Sequence, residues 1–403
     1  MAKRIDILKS LITLPLAGAM AGNRAFAASP VPGFPRDYFK ELGIRTFINA
    51  SGTYTMLTAS LMPPEVIKAI NYAALQYVRL DELQEKAGER IAELLKCEAA
   101  MVTSGAASAI TLGTAAVLTG GDPKKAANIP NDLTGMKSEV IIQKSHRVGY
   151  DHAIRNCGVK MIEVETKKDL ESAINEKTAM MWFYNNQNPI GKIRDEEFVA
   201  IGKKHSIPTF NDCAADVPPV ENFWKYTKMG FDLVCFSGGK GIRGPQSAGL
   251  LLGSKDLIRA ALRNAPPNGD TVGRGMKVNK EEILGMLVAV EVFLAKDHQA
   301  EWAMWENQIK MIHDAAVSVP GVKGEIHVPE IANHVPALRI KWDTAKVKAK
   351  PDEIRNALRN GHPSIETMGG EETIDITTWM MIPGEERIVA KRLKELLQSA
   401  SVG

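Results

Sequence analysis

The sequence predicts an α/β protein: a large, mostly parallel sheet of seven strands covered by helices on both faces, followed by a small α/β domain. Three observations predict it. Seven short, largely apolar runs alternate with amphipathic helical stretches: Ala99–Thr103, Val140–Gln143, Met161–Val164, Ala179–Phe183, Pro208–Asn211, Leu233–Phe236 and Ala248–Leu252. Most of these runs are too apolar to have one wet face, as expected of parallel strands buried on both sides. Residues 320–403 repeat the alternation on a smaller scale, with strands near Ala337–Trp342 and Thr373–Thr378 and helices near Pro351–Asn360 and Glu385–Leu397. At 403 residues, 45% hydrophobic and 24% charged, the chain is long enough for two or three domains of ordinary globular composition.

The chain opens on a different pattern. Lys3, Arg4 and Lys9 form a basic start, Leu11 to Met20 an apolar stretch, and Ala25-Phe26-Ala27 a small-residue site before Ala28. This is the layout of an export signal over residues 1–27. The apolar stretch is too short to span a bilayer, and Pro15, Gly18 and Gly22 weaken the alternative of a buried helix. Lys3-Arg4-Ile5-Asp6-Ile7-Leu8-Lys9 resembles a twin-arginine leader with Lys in place of the first Arg. The expectation is a periplasmic protein, or a cytoplasmic one if the signal is not used.

Residues 28–62 read as an N-terminal arm, with three prolines between 29 and 46. Pro63-Pro64 opens a helical pattern that continues through Leu95. Residues 63–285 form the expected large domain. A helical stretch from Lys280 to about Val317 links it to the small one, so residues 286–403 hold the linking helix and C-terminal domain. Pro383-Gly384-Glu385-Glu386 starts the last helix with acids in its first turn.

The net charge of +3 is the surplus of the first 27 residues, so the rest of the chain is neutral. A nucleic-acid partner would need a basic surface, and none is expected. The four cysteines, Cys97, Cys157, Cys213 and Cys235, have no metal-ligand spacing and no disulfide framework. No metal is expected, and no membrane association once the signal is cleaved.

The chemistry centres on Phe236-Ser237-Gly238-Gly239-Lys240, directly after an apolar strand. Alone, a lysine behind glycines is a solvated loop residue. Four further elements give it context, in the order that a pyridoxal 5′-phosphate site needs. Thr103-Ser104-Gly105-Ala106-Ala107-Ser108 lies between a strand and an apolar helix, where small residues and free N–H groups suit a phosphate. His146 follows the strand Val140–Gln143 and offers a flat ring to stack on a pyridine. Asn185-Asn186-Gln187-Asn188-Pro189-Ile190-Gly191 sets amides at a strand's C-terminal end, one of them fit for the cofactor's 3-hydroxyl. Asp212, 28 residues before Lys240, can keep the pyridine nitrogen protonated; Asp216 falls on the substrate side. Each element has a plainer reading, as a turn, a hydrogen-bonded histidine or a helix cap. Their joint order favours the site.

With these residues in view, the chain resembles the selenocysteine-synthase-like branch of fold-type I (aspartate-aminotransferase-like) pyridoxal-phosphate enzymes, closest to the D-glucosaminate-6-phosphate ammonia-lyase type. The resemblance runs from about Phe47 to Arg392. It is densest at Ile48–Thr53, Glu82–Gly88, Val102–Ala107, Phe236–Gln246 and Gly273–Val278. It implies Lys240 as the Schiff-base lysine, Asp212 as the ring-nitrogen partner, Ser104, Gly105, Ala106 and Ser237 near the phosphate, and His146 over the ring. It also implies a homodimer or higher oligomer, with Arg274 reaching the neighbouring site. Arg147, Arg243, Arg274 and Lys277 are candidates for an acidic substrate.

The favoured activity is loss of ammonia from a β-hydroxy amino acid or amino-sugar acid by α,β-elimination to a 2-keto acid. Lys240 takes the α-proton, and the acid at the leaving group is Lys240 itself, Asp151 or His152. A racemase, an aldolase and an aminotransferase start from the same lysine. A silent binding protein of the same fold is the remaining alternative.

Overall fold

The computed structural model describes residues 36–402. The expected export signal, and the arm through residue 35, lie outside the described residues. Contacts separate the chain into a unit ending at Thr46 and a unit beginning at Phe47. Within the first, Asp37 caps the short helix Tyr38–Glu41 by accepting from the Lys40 N–H at 3.0 Å.

The second unit carries twelve strands among the described residues. The first eight are β1 (Phe47–Asn49), β2 (Ala99–Thr103), β3 (Glu139–Gln143), β4 (Lys160–Val164), β5 (Thr178–Tyr184), β6 (Thr209–Asp212), β7 (Leu233–Ser237) and β8 (Gly249–Gly253). The large sheet has the order β2-β8-β7-β6-β5-β3-β4, with β8 antiparallel to both of its neighbours and every other pair parallel. Successive side chains point to opposite faces. Val102, Ile141, Met181, Phe183, Val234 and Phe236 enter one core. Met101, Val140, Ile142, Met180, Trp182 and Cys235 enter the other. Burying each large apolar side chain contributes about 1.5–3 kcal/mol, which is why a two-sided sheet needs near-continuous apolar strands.

Helix Gly105–Thr119 is nearly enclosed in the second core. Its hydroxyls are satisfied there: Thr114 and Thr119 each donate one turn back at 2.8 Å, and Thr111 donates to the Ala153 carbonyl at 2.7 Å.

The C-terminal part holds β9 (Val322–His327), β10 (Ala337–Trp342), β11 (Ser364–Glu366) and β12 (Ile374–Thr377). The order β12-β10-β9 is antiparallel, while β1 pairs in parallel with β11. Helices His298–Val317, Pro351–Arg359 and Glu385–Ser399 enclose a third core that includes Ile48, Leu338, Ile340, Ile376, Leu393 and Leu397.

All seven predicted sheet strands are present, as are the four predicted C-terminal elements. Two long helical stretches are each broken. The first divides into Pro64–Ala74 and Leu80–Leu95, the second starting with Asp81 and Glu82 in its first turn. The second divides into Lys280–Leu294 and His298–Val317, where Asp297 accepts from the Ala300 N–H at 3.0 Å and starts a new helix. Strands β1, β9 and β11 carry no run long enough to be seen in the sequence.

Candidate active site

Strands β2, β3, β5, β6 and β7 run the same way, so Thr103, Gln143, Tyr184, Asp212 and Ser237 end at one edge of the sheet. Register sets Tyr184 opposite Asp212 and Asp212 opposite Cys235. Ligands of parallel sheets bind outside this edge.

Lys240 sits in a turn folded tightly back on itself. Gly238 N–H donates to the Ala248 carbonyl and Gly244 N–H to the Gly238 carbonyl, both at 2.8 Å, and Arg243 N–H donates to the Lys240 carbonyl at 3.0 Å. The Ser60 hydroxyl donates to the Gly239 carbonyl at 2.6 Å. Burial pushes the proton affinity of Lys240 Nζ down, against the opposing charges of Asp212 and Asp216. A lysine so placed reaches its neutral, nucleophilic form more readily than one in water.

Asp212 is buried, and its Oδ1 accepts from Ala214 N–H at 3.1 Å and from the Cys235 thiol at 3.5 Å. Among the described residues, Oδ2 has no hydrogen-bond partner. Burial pushes this carboxyl up from its ordinary range, while the Ala214 N–H and the Lys240 charge pull it back.

Asn185 is fully buried behind this pair. Its Nδ2 donates to Asp216 Oδ2 at 2.6 Å and to the Tyr226 hydroxyl at 2.7 Å, and its Oδ1 accepts from Asn211 Nδ2 at 3.2 Å. The amide is therefore fully used inside the protein, and the structure gives it the task of holding Asp216 rather than a cofactor hydroxyl. Asp216 is also buried, not at a substrate-facing surface.

Ser104 precedes helix Gly105–Thr119, whose first N–H groups, on Gly105, Ala106 and Ala107, have no acceptor within the helix. Gly105 has φ +82°, a conformation that favours glycine. Gly249 lies directly beneath: a Cβ on it would stand 2.5 Å from Gly105 C and 2.8 Å from Ala106 N. Because Gly249 is opposite Ser237, the helix start, Ser237 and the Lys240 turn are neighbours.

His146 has a different setting from the one expected. It has no exposed surface, and its ring meets Phe183 edge-on at 4.5 Å. Nδ1 accepts from Tyr184 N–H at 3.1 Å and Nε2 lies 3.2 Å from Gln143 Nε2. A ring enclosed on all sides braces the ends of β3 and β5 and presents no free face for stacking. Burial pushes its pKa down to about 4, so it is neutral at physiological pH.

Arg243 adopts φ +58°, costly for a side chain of that size. Its guanidinium donates to the Trp379 carbonyl, which fastens the Lys240 turn to the segment after β12. Arg274 and Lys277 are exposed and have no ion-pair partner among the described residues. Asp151 is ion-paired with both Arg147 and Arg155, and Arg147 also contacts Glu163; His152 is exposed at the start of helix His152–Arg155.

The sequence reading missed Asn211, Tyr226, Tyr184 and Cys235. Tyr226 lies on helix Asn222–Met229, and nothing local ties it to Asn185, 41 residues earlier. Tyr184 was within reach of the strand pattern: it ends β5, stacks on Trp182 at 6.0 Å and feels the charge of Asp212.

These residues fit pyridoxal 5′-phosphate. Lys240 offers a buried amine for its aldehyde, Asp212 Oδ2 an acceptor for its ring nitrogen, and the helix start a cradle for its phosphate. Fold and site together define a pyridoxal-phosphate-dependent enzyme of the aspartate-aminotransferase-like fold. The profile of the SelA family, L-seryl-tRNA selenium transferase, matches residues 47–319, and the chain belongs to that family. D-glucosaminate-6-phosphate ammonia lyase of Salmonella typhimurium is 29% identical over 379 residues, covering 90% of this chain and 98% of that one. L-seryl-tRNA(Sec) selenium transferase of Caldanaerobacter subterraneus is 26% identical over 408 residues, covering 89% and 84%. The solved structure of D-glucosaminate-6-phosphate ammonia-lyase has a TM-score of 0.79 at 27% identity and covers 91% of this chain and 100% of its own. Aspartate aminotransferase of Thermus thermophilus, with a TM-score of 0.53 at 12% identity over 88% and 99%, shares the fold.

Proposed function

We propose that the protein is a pyridoxal-phosphate-dependent ammonia lyase that converts a β-hydroxy amino acid or amino-sugar acid to a 2-keto acid and ammonia. The observation that carries this reading is the buried Lys240–Asp212 pair, set in a chain that is similar over 90% of its length to D-glucosaminate-6-phosphate ammonia lyase. The bound cofactor supplies a sink for the electron pair left at the substrate α-carbon. Lys240 Nζ first anchors the cofactor, then takes the α-proton and holds it within reach of the departing hydroxyl. Asp212 Oδ2 accepts the ring N–H, and Ser104, Gly105, Ala106 and Ser237 orient the phosphate. Lys240 serves as the acid at the leaving group in this reading: Asp151 is committed to two arginines and His152 is exposed at the start of its helix, while Lys240 is buried beside Asp212. The deciding experiment offers the purified protein D- and L-amino acids and sugar acids, with keto acid and ammonia measured together. Equal release of both without a co-substrate supports the lyase; a requirement for a keto-acid acceptor overturns it in favour of an aminotransferase.

The leader pattern of residues 1–27 supports a periplasmic site of action, and hence an unphosphorylated substrate. Arg243, Arg274 and Lys277 are the proposed contacts for its acidic group, and the neutral chain after residue 27 favours a small molecule over tRNA. An N-terminus at Ala28 in protein from the periplasmic fraction tests the export. A second copy of the chain is the proposed cover for the exposed Met56, Leu61, Tyr72, Leu75, Tyr77 and Val78. A monomer by light scattering would refute it.

A further inference from the structure

The most heavily built part of the site does not touch the reacting atoms. Asn211, on β6, donates to Asn185 after β5; Asn185 donates to Asp216 and to Tyr226 on helix Asn222–Met229; and Asn222 Nδ2 donates to the Asp216 backbone carbonyl at 2.7 Å. The Tyr226 oxygen accepts from the same Asn185 amide that holds Asp216, which leaves its own proton free to favour the Asp216 carboxylate. The Cys213 thiol, on the same segment, also lowers the proton affinity of this carboxylate. An enclosed carboxyl held by the Asn185 amide, with a hydroxyl and a thiol favouring its charged form, makes a holder for negative charge. The segment that carries Asp216 is fastened to the strand and turn that carry Lys240: Cys213 N–H donates to the Cys235 carbonyl at 3.1 Å, Ser237 N–H donates to the Ala214 carbonyl at 3.3 Å, and Gly241 packs against the Val217 carbonyl with no room for a Cβ. Across this contact Lys240 attracts the Asp216 charge, while Asp212, four residues away in sequence, repels it.

We propose that Asp216 is a positioning residue of this site, acting through space on Lys240, so that its charge decides how firmly Lys240 Nζ holds a proton. The titratable groups around it are Asp212 and Cys213 on its own segment, Cys235 at the end of β7, Lys240 on the following turn, Tyr226 on the covering helix and Tyr184 at the end of β5. Burial first, and then the Asp212 charge, pushes the Asp216 carboxyl up to about 7, against the pull of its donors. The residue thus changes charge near neutrality. Once ionised it adds a negative charge facing Lys240, which then keeps its proton to higher pH. Below that point Lys240 is left with Asp212 alone.

The inference rests on Lys240 as the cofactor lysine, but it is tested on the protein before loading. Competitive acetylation of the apoprotein between about pH 6 and 10, with the Lys240 peptide followed by mass spectrometry, reports the neutral fraction of Nζ. Asp216→Asn should label faster than wild type by a factor that is about one below pH 6, grows to about tenfold above neutrality and returns to one where Nζ is neutral in both proteins. A merely structural role would give a factor independent of pH, and that result, or no difference, overturns the proposal. Tyr226→Phe removes a donor, delays ionisation of Asp216 and should shift labelling in the same direction by less; it decides the matter if Asp216→Asn does not fold. Borohydride reduction of loaded wild type and variant separates the two claims. Absence of a cofactor adduct on Lys240 in wild type refutes the cofactor lysine and leaves the labelling comparison standing.

Discussion

The phosphate cradle can be tested without altering any residue that would touch the cofactor. Gly249 lies under the start of helix Gly105–Thr119, and a Cβ there would stand 2.5 Å from Gly105 C, where ordinary contact begins at 3.4 Å. In Gly249→Ala the helix start must move away by about 0.9 Å. A displacement of that size breaks a hydrogen bond of normal length. Losing one N–H to a charged phosphate costs about 1.5–3 kcal/mol, or roughly tenfold to 150-fold in cofactor Kd. Gly253→Ala, at the far end of the same strand, is the control, because its Cβ would meet the Asp232 carbonyl at 2.2 Å. Both variants should lose about 1–3 kcal/mol of stability from overpacking. Only Gly249→Ala should weaken cofactor binding, measured by titrating apoprotein at a temperature where both are folded. Equal Kd values in the two variants would refute the assignment of this helix start as the phosphate site.

Lys240→Ala should abolish the borohydride-fixed adduct and turnover while leaving the circular dichroism spectrum unchanged; retained turnover would remove Lys240 as the base. Asp212→Asn should still bind the cofactor but slow α-proton removal, read by exchange of the substrate α-deuterium, by about 10²-fold or more; an unchanged exchange rate excludes it as the ring-nitrogen partner. His146, lowered from 6.5 to about 4, stays neutral in the folded protein where the unfolded chain takes up a proton. Stability present above pH 6.5 is therefore lost as pH falls towards 4, by about 3 kcal/mol. His146→Gln should flatten that part of the denaturation curve, and an equal pH dependence in both proteins would contradict the buried neutral ring.

What the sequence by itself determined is the α/β class, the positions of the seven sheet strands and the order of the groups that meet at their ends. Strands buried on both faces must be apolar over consecutive residues, so a linear reading finds them. Ligands of a parallel sheet bind beyond the carboxyl ends of its strands, so the placing of Asp212, Ser237 and Lys240 at that edge was legible for the same reason. Tertiary structure alone decided the rest. Helix breaks at Leu75 and Ala295 fall where no proline or glycine marks them, and β1 finds its partner β11 more than 300 residues away. His146 and Asn185 show the limit most clearly. Each stands at the strand end where a ligand-binding residue belongs, yet Phe183, Tyr184 and Gln143 enclose the one, and Asp216, Tyr226 and Asn211 use every polar atom of the other. A residue's place along the chain fixes which edge of the sheet it reaches; whether it faces a ligand or the interior depends on neighbours brought there by folding.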